Sequence, residues 1–272
     1  MRINSPYFYL AFFLILNIFN FVDRNLLIAF APQIKSEFNL TNVQWGLLTG
    51  VYFLFFYSVF GIFMGVLGDK FSRMKIAAAG VFLWSLMTAV TGIAKNFSHL
   101  IFARALIGVG ESALTPNAIS MLSDLFKQNQ RGTASAIYYL GIPLGVGFGM
   151  LIAAFFGPIF GWRAVFIFLG LIGMGLGILT YFLFEPIRGQ LDINFDKTAK
   201  PNSIKDILSM TKSALYNSKC LTFVIIGSIF LHIPLGAGNF EVLWAVNERG
   251  FTASSYNSVS YTHLTLPTIV RV

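Results

Sequence analysis

Asp23, Arg104 and Glu111 are ionisable residues inside otherwise apolar stretches, and the chemistry open to them is holding an anion or exchanging a proton. Arg104 and Glu111 are seven apart, which at 3.6 residues per turn puts them on one helix face with Glu111 roughly 10 Å further along. An ionisable side chain within a bilayer costs about 2.5 kcal/mol or more, so such a residue normally has a partner and a task. The plainer alternative is a structural ion pair or snorkelling. Asn17, Asn20 and Asp23 step by three and share a broad helix side. Counted inward from Pro32 and Phe97, Asp23 and Arg104 lie at roughly 13 and 10 Å, similar depths that predict an Asp23–Arg104 pair. Arg24, about 100° round the helix from Asp23, is expected to face elsewhere.

The elements that must position these residues are membrane helices. The 272 residues are 56% hydrophobic and 11% charged, with 30 Phe, and the mean hydropathy is +0.72. Apolar runs recur at crossing length, about 7–31, 43–67, 76–94, 97–125, 132–157, 163–184 and 220–246, predicting seven spans. Without water to satisfy the backbone, such runs are helical, so the fold class is an all-α membrane protein. The N-terminal run lacks a small-residue cleavage pattern before its polar break and reads as a span rather than a leader.

Twelve basic residues fall in loops on the N-terminal side and four, Lys35, Lys95, Arg163 and Arg249, on the other. This bias predicts a multi-pass protein of the cell (inner) membrane with its N-terminus in the cytoplasm. It also accounts for most of the +8 net charge without a nucleic-acid partner. Cys220 is the sole cysteine, and His99, His232 and His263 have no ligand spacing. Neither a metal nor another cofactor is expected, and no nucleophile or phosphate-loop pattern suggests an enzyme.

Thr41 and Gln44 have the spacing of a capping box that starts the second span. After that span comes GVLGDKFSRMK, which is similar to the loop signature G-x-L-x-D-R/K-x-G-R-R/K of the major facilitator superfamily. It is carried by Gly65, Leu67, Asp69, Lys70, Arg73 and, shifted by one, Lys75; Ser72 stands where the family has Gly, and Met74 where it has a second base. Arg104, Gly108 and Gly110 match the family's R-x-x-x-G-x-G. GVGESALTPNAISMLSDLF, RGTASAIYYLGIPLG, VDR and GWRAVF look most like its Spinster-like branch.

The resemblance implies the six-helix N-terminal half of a facilitator plus a seventh helix, truncated. The expected divisions are 1–184 for the bundle, 185–218 for a cytoplasmic linker, 219–257 for helix seven and its outer loop, and 258–272 for a non-native tail. In the linker, Ser203 can cap a helix striped by Ile204, Ile207, Leu208, Thr211 and Leu215. Helix seven, with His232, Pro234, Gly236, Gly238 and Asn239, reads as breakable. Its outer loop 250–257 lays on 39–46, Thr252 matching Thr41 and Tyr256 matching Trp45, as parallel halves would require. Gly141, Gly145 and Gly149, at steps of four, suit close helix packing.

Burial penalises a carboxylate's charge and a nearby Arg rewards it, so Asp23 or Glu111, in a polar track with Arg104 and Asn20 expected to face the central cavity, can exchange a proton as that cavity opens to each side. Gly65, Asp69, Lys70, Arg73 and Lys75 form the loop that, in the resembling family, braces the two halves. The resemblance implies alternating access, and its lipid-handling branch implies a lipid-like or amphiphilic solute. Partners are then the membrane lipid, that solute and protons. An organic anion held by Arg104 is the alternative solute, and a non-transporting sensor or structural fragment the alternative class.

Overall fold

The computed structural model describes residues 5–189, 191, 209, 213 and 216–260, and the regular elements among them are all helical. Helix α1 (Pro6–Ala29) starts on a proline, whose fixed φ and missing N–H suit a first turn, and a short α2 (Ala31–Glu37) follows it. Thr41 caps α3 (Asn42–Gly46) through a complete capping box: its Oγ1 accepts the Gln44 N–H at 3.2 Å and its own N–H donates to Gln44 Oε1 at 2.9 Å. A π-helical turn, Leu47–Val51, joins α3 to α4 (Tyr52–Lys70), completing the second crossing.

Ser72 opens α5 (Arg73–Gly92) by accepting the Lys75 N–H at 3.3 Å, and Met74 is 1% exposed in the core. Both departures from the loop signature thus have local employment, one as a helix cap and the other as packing. The fourth crossing is two helices, α6 (Phe97–Glu111) and α7 (Leu114–Leu125), where the sequence suggested one run; the break falls directly after Glu111. Helices α8 (Arg131–Tyr139) and α9 (Gly141–Tyr181) form a 51-residue apolar stretch. At Gly161 (φ 76°, ψ 159°) α9 leaves helical geometry, and since roughly 20 residues cross a bilayer, its two arms are the fifth and sixth crossings.

The seventh apolar run is also divided. Helix α10 (Lys219–Ala237) gives way to a 3-10 turn, Gly238–Phe240, and then to α11 (Glu241–Arg249) and α12 (Ala253–Ser260). The expected linker stripe at 204–215 and residues 261–272 of the expected tail lie outside the described residues.

Two apolar clusters fill the bundle. One, toward the basic loops, holds Phe13, Leu16, Met74, Trp84, Met121 and Tyr138; the other, at the opposite end, holds Leu26, Ile34, Trp45, Trp162, Phe166 and Val242. Along α1, α5 and α6, the buried polar residues Asn17, Asn20, Thr88 and Arg104 fall between them. Helix α1 lies against the first arm of α9 along the glycine stripe: a Cβ on Gly141 would sit 2.8 Å from Asn17 Cβ, one on Gly145 2.5 Å from both Ile18 O and Phe21 Cβ, and one on Gly149 3.2 Å from Val22 O.

Candidate functional site

Asn20, Asp23, Arg104 and Glu111 are 3, 2, 6 and 1% exposed, so the polar belt is enclosed by protein. Glu111 Oε2 takes a 2.5 Å ion pair from Arg24 Nε rather than from Arg104. The Arg24 guanidinium also lies 4.9, 4.9 and 4.8 Å from the ring centres of Phe21, Phe53 and Tyr57. Arg104 stands 4.5 Å from the same Phe53 ring centre, so one aromatic ring serves two cations.

The expected Asp23–Arg104 pair does not form. Asp23 Oδ2 accepts a 3.2 Å hydrogen bond from the Thr88 hydroxyl, which in turn donates to Trp84 O as its alternative acceptor at 3.0 Å. Asp23 and Arg104 are near enough to act on one another's charge but not to bond, and an arginine's long stem lets its head act far from its own Cα. That second fact is why Arg24, set aside by the helical wheel, is the residue that reaches Glu111. Thr88 gave no sequence signal, since a threonine in an apolar run usually bonds its own helix.

The belt retains unused hydrogen-bonding capacity. Arg104 Nε is buried without a hydrogen-bond partner, and Asn20 Nδ2, Asp23 Oδ1, Trp84 Nε1 and Glu111 Oε1 make no bond of good geometry, although the Trp84 side chain lies beside the Asp23 carboxyl and that of Asn20 beside Glu111. Donors (Asn20, Trp84, Arg104) and acceptors (Asp23, Glu111) are both represented in the layer.

The signature loop at the basic end is not one cluster. Arg73 is 4% exposed and gathers three segments: Nη1 pairs with Asp124 Oδ2 at 2.5 Å and donates to Ser120 Oγ at 2.9 Å, Nε pairs with Glu185 Oε1 at 3.0 Å, and Nη2 donates to Pro186 O at 3.1 Å. Asp69, Lys70 and Lys75 are exposed, and the Lys75 ammonium lies 5.7 Å from the Tyr181 ring centre. Arg188 donates to the carbonyls of Gly68 and Asp69 at 2.7 and 2.5 Å, tying the stretch after the sixth crossing to the loop. Gly65, Asp69, Arg73, Asn117 and Ser120 line a cavity of about 370 Å³ between α4 and α7. Burial works against the Glu185 carboxylate, but bonds from Ser72 and Arg73 outweigh it and hold it below the usual glutamate range.

At the opposite end Arg163 ties crossings together. It pairs with Glu37 Oε1 at 2.6 Å and donates to Gly92 O and Ala94 O at 3.0 and 2.8 Å, while Trp162 Nε1 donates to Glu37 Oε2 at 2.8 Å. Those bonds, Arg163 foremost, hold the Glu37 carboxyl below its ordinary range. The repeat inferred between 39–46 and 250–257 has matching bonds: Thr252 Oγ1 accepts the Ser255 N–H at 3.1 Å, as Thr41 Oγ1 accepts that of Gln44.

Among curated proteins, Protein spinster of Drosophila melanogaster is 29% identical over 81% of this chain and 37% of its own length. The sphingosine-1-phosphate transporter SPNS2 of Danio rerio is 32% identical over 65% of this chain and 36% of its own. The chain therefore spans little more than a third of these relatives. Among solved structures, a bacterial homolog of the human lysosomal transporter Spinster, in an inward-facing and unoccupied conformation, superposes with a TM-score of 0.83 at 24% identity, over 97% of this chain and 60% of that one. The family model of the Major Facilitator Superfamily matches residues 13–268, and the chain belongs to that superfamily.

Proposed function

We propose that this chain forms one half, with the first helix of the other, of a secondary active transporter that moves a lipid-like or amphiphilic solute by alternating access coupled to protons. The observation that carries the reading is the enclosed polar layer, in which Arg24 holds Glu111 while the buried Arg104 Nε remains unbonded. Protonation of Glu111 removes the charge that retains Arg24. The released guanidinium, beside Arg104 on the Phe53 ring, then provides a cationic seat for an anionic headgroup, and departure of that headgroup together with the Glu111 proton restores the pair. Asp23, which accepts from the Thr88 hydroxyl, is the second proton-accepting group. The sphingosine-1-phosphate transporter among the relatives supports an amphiphile with an anionic head.

Gly65, Asp69, Lys70, Arg73 and Lys75 act in gating in this scheme, since they sit at the basic end and outside the polar layer. The basic bias supports a cytoplasmic N-terminus in the cell membrane.

The test is substrate-dependent proton movement in liposomes bearing the two-half transporter. Glu111→Gln and Asp23→Asn are expected to abolish proton movement while leaving solute binding within about threefold, because binding engages the cations. Wild-type coupling in both variants would overturn the reading.

A further inference from the structure

Between the third and fourth crossings, at the end away from the basic loops, Val90, Ile93, Ala94, Lys95, His99 and Phe102 line a groove of about 400 Å³. Its chemistry is ordered along the helix axes. Helix α5 ends at Gly92 and α6 begins at Phe97, so Lys95 lies in the connecting turn and His99 in the first turn of α6. Val90 and Phe102 each lie three residues further into the bundle than Ile93 and His99, roughly 4.5 Å deeper. Cationic and donor groups therefore stand at the mouth, and apolar ones below.

The groove faces away from the polar belt. Val90 is about 200° round α5 from Thr88, and Phe102 about 200° round α6 from Arg104, the residues that face inward. Ile93 and Phe102 are 62 and 61% exposed, large apolar side chains turned to the surroundings. In a membrane protein those surroundings are acyl chains.

Charge identifies the occupant. Of the four basic residues at this end, Arg163 is engaged with Glu37 and two carbonyls, Lys35 with Asn42, and Arg249 with the Trp244 ring. Among the described residues the Lys95 ammonium has no partner. His99 Nδ1 accepts the Lys95 backbone N–H in a long 3.5 Å bond, which leaves Nε2 to carry the ring proton and donate outward. No acidic residue lines the groove, so nothing in it attracts a quaternary ammonium head.

We propose that this groove binds one anionic phospholipid from the leaflet on that side, its phosphate between Lys95 Nζ and His99 Nε2 and one acyl chain along Val90 and Phe102. The site is separate from the solute pathway and takes a resident lipid.

Native mass spectrometry of the purified chain, titrated in detergent with dioleoylphosphatidylglycerol or dioleoylphosphatidylcholine, tests this by lipid retention and is independent of transport. The expected result is one phosphatidylglycerol retained about fivefold more tightly than phosphatidylcholine, the preference that a single basic residue near a lipid surface supports. Lys95→Gln with His99→Gln should erase the preference, Lys95→Arg should keep it, and Phe102→Ser should weaken retention of both lipids. Millimolar inorganic phosphate should not displace the lipid. Equal retention of the two lipids by the parent chain, or an intact preference in the double Gln variant, would overturn the proposal, as would loss of preference in Lys95→Arg or displacement by phosphate alone.

Discussion

Trp45, fully buried, donates its indole N–H to the backbone carbonyl of Asn239 across 3.0 Å, and each residue adjoins an irregular turn of its own crossing. The π-helical turn Leu47–Val51 begins two residues after Trp45, and Asn239 lies within the 3-10 turn that separates α10 from α11. Irregular turns leave carbonyls free for such use and concentrate bending. Asn257 Nδ2 donates to Ala29 O at 3.2 Å at the same end, so the first crossing is tied to α12 there and the second to the turn after α10.

Trp45→Phe keeps the ring and deletes the donor. The expected cost is about 1 kcal/mol of stability, the net worth of one hydrogen bond, with faster amide exchange confined to residues 238–241. Hydrogen-exchange mass spectrometry reads it, and unchanged exchange there would show that the bond does not hold the turn.

Arg24→Ala should destabilise the bundle by about 3–5 kcal/mol, because it strands the fully buried Glu111 side chain. Glu111→Gln should cost less, since Arg24 is 21% exposed and keeps the rings of Phe21, Phe53 and Tyr57. Thermal melts in detergent give the order, and a reversed order would mean that the aromatic contacts do not support the cation.

The glycine stripe makes a graded prediction. Gly145→Ala should cost about 1–3 kcal/mol, because its methyl would lie 2.5 Å from a backbone oxygen and a side-chain carbon of α1. Gly149→Ala, with 3.2 Å to the nearest atom, should cost less. Gly132→Ala, with nothing within 4 Å, should stabilise α8 by up to about 1 kcal/mol through helix propensity. Melting temperatures of the three variants check the sequence of effects.

Both carboxylates at the bundle ends, Glu37 and Glu185, are held below the ordinary glutamate range. A lowered folded value means that their contribution is present above the unfolded value of about 4.3 and is lost as pH falls through the folded one. Melting temperature should therefore drop on acidification below about pH 4.3, and Glu185→Gln should flatten part of that drop while lowering stability at neutral pH. An unaltered acid limb in the variant would dissociate Glu185 from it.

What could be read from the residues differed by scale. Runs of apolar residues gave the crossings because a bilayer imposes length, and Thr41 and Gln44 gave the cap because a capping box is local. The break after Glu111 was harder, since it depends on what the neighbouring helix presents, whereas Pro234, Gly236 and Gly238 marked the one in the seventh run. Side-chain partners were hardest of all. Asp23 and Arg104 share the layer without bonding, whereas Arg24 acts through a stem that a wheel diagram reduces to a point.

The glycine stripe of α9 bears on how the polar layer can respond to its ligands. With Asn17, Ile18, Phe21 and Val22 seated against Gly141, Gly145 and Gly149, α1 meshes with its neighbour like a toothed rack. Axial rotation would drive side chains into a backbone that has no room to yield. Asp23 and Arg24 are carried on that rack, so a change of charge in the layer is expressed either in their rotamers or in movement of α1 and the first arm of α9 as one rigid body. Independent twisting of α1 is foreclosed by the absence of three methyl groups.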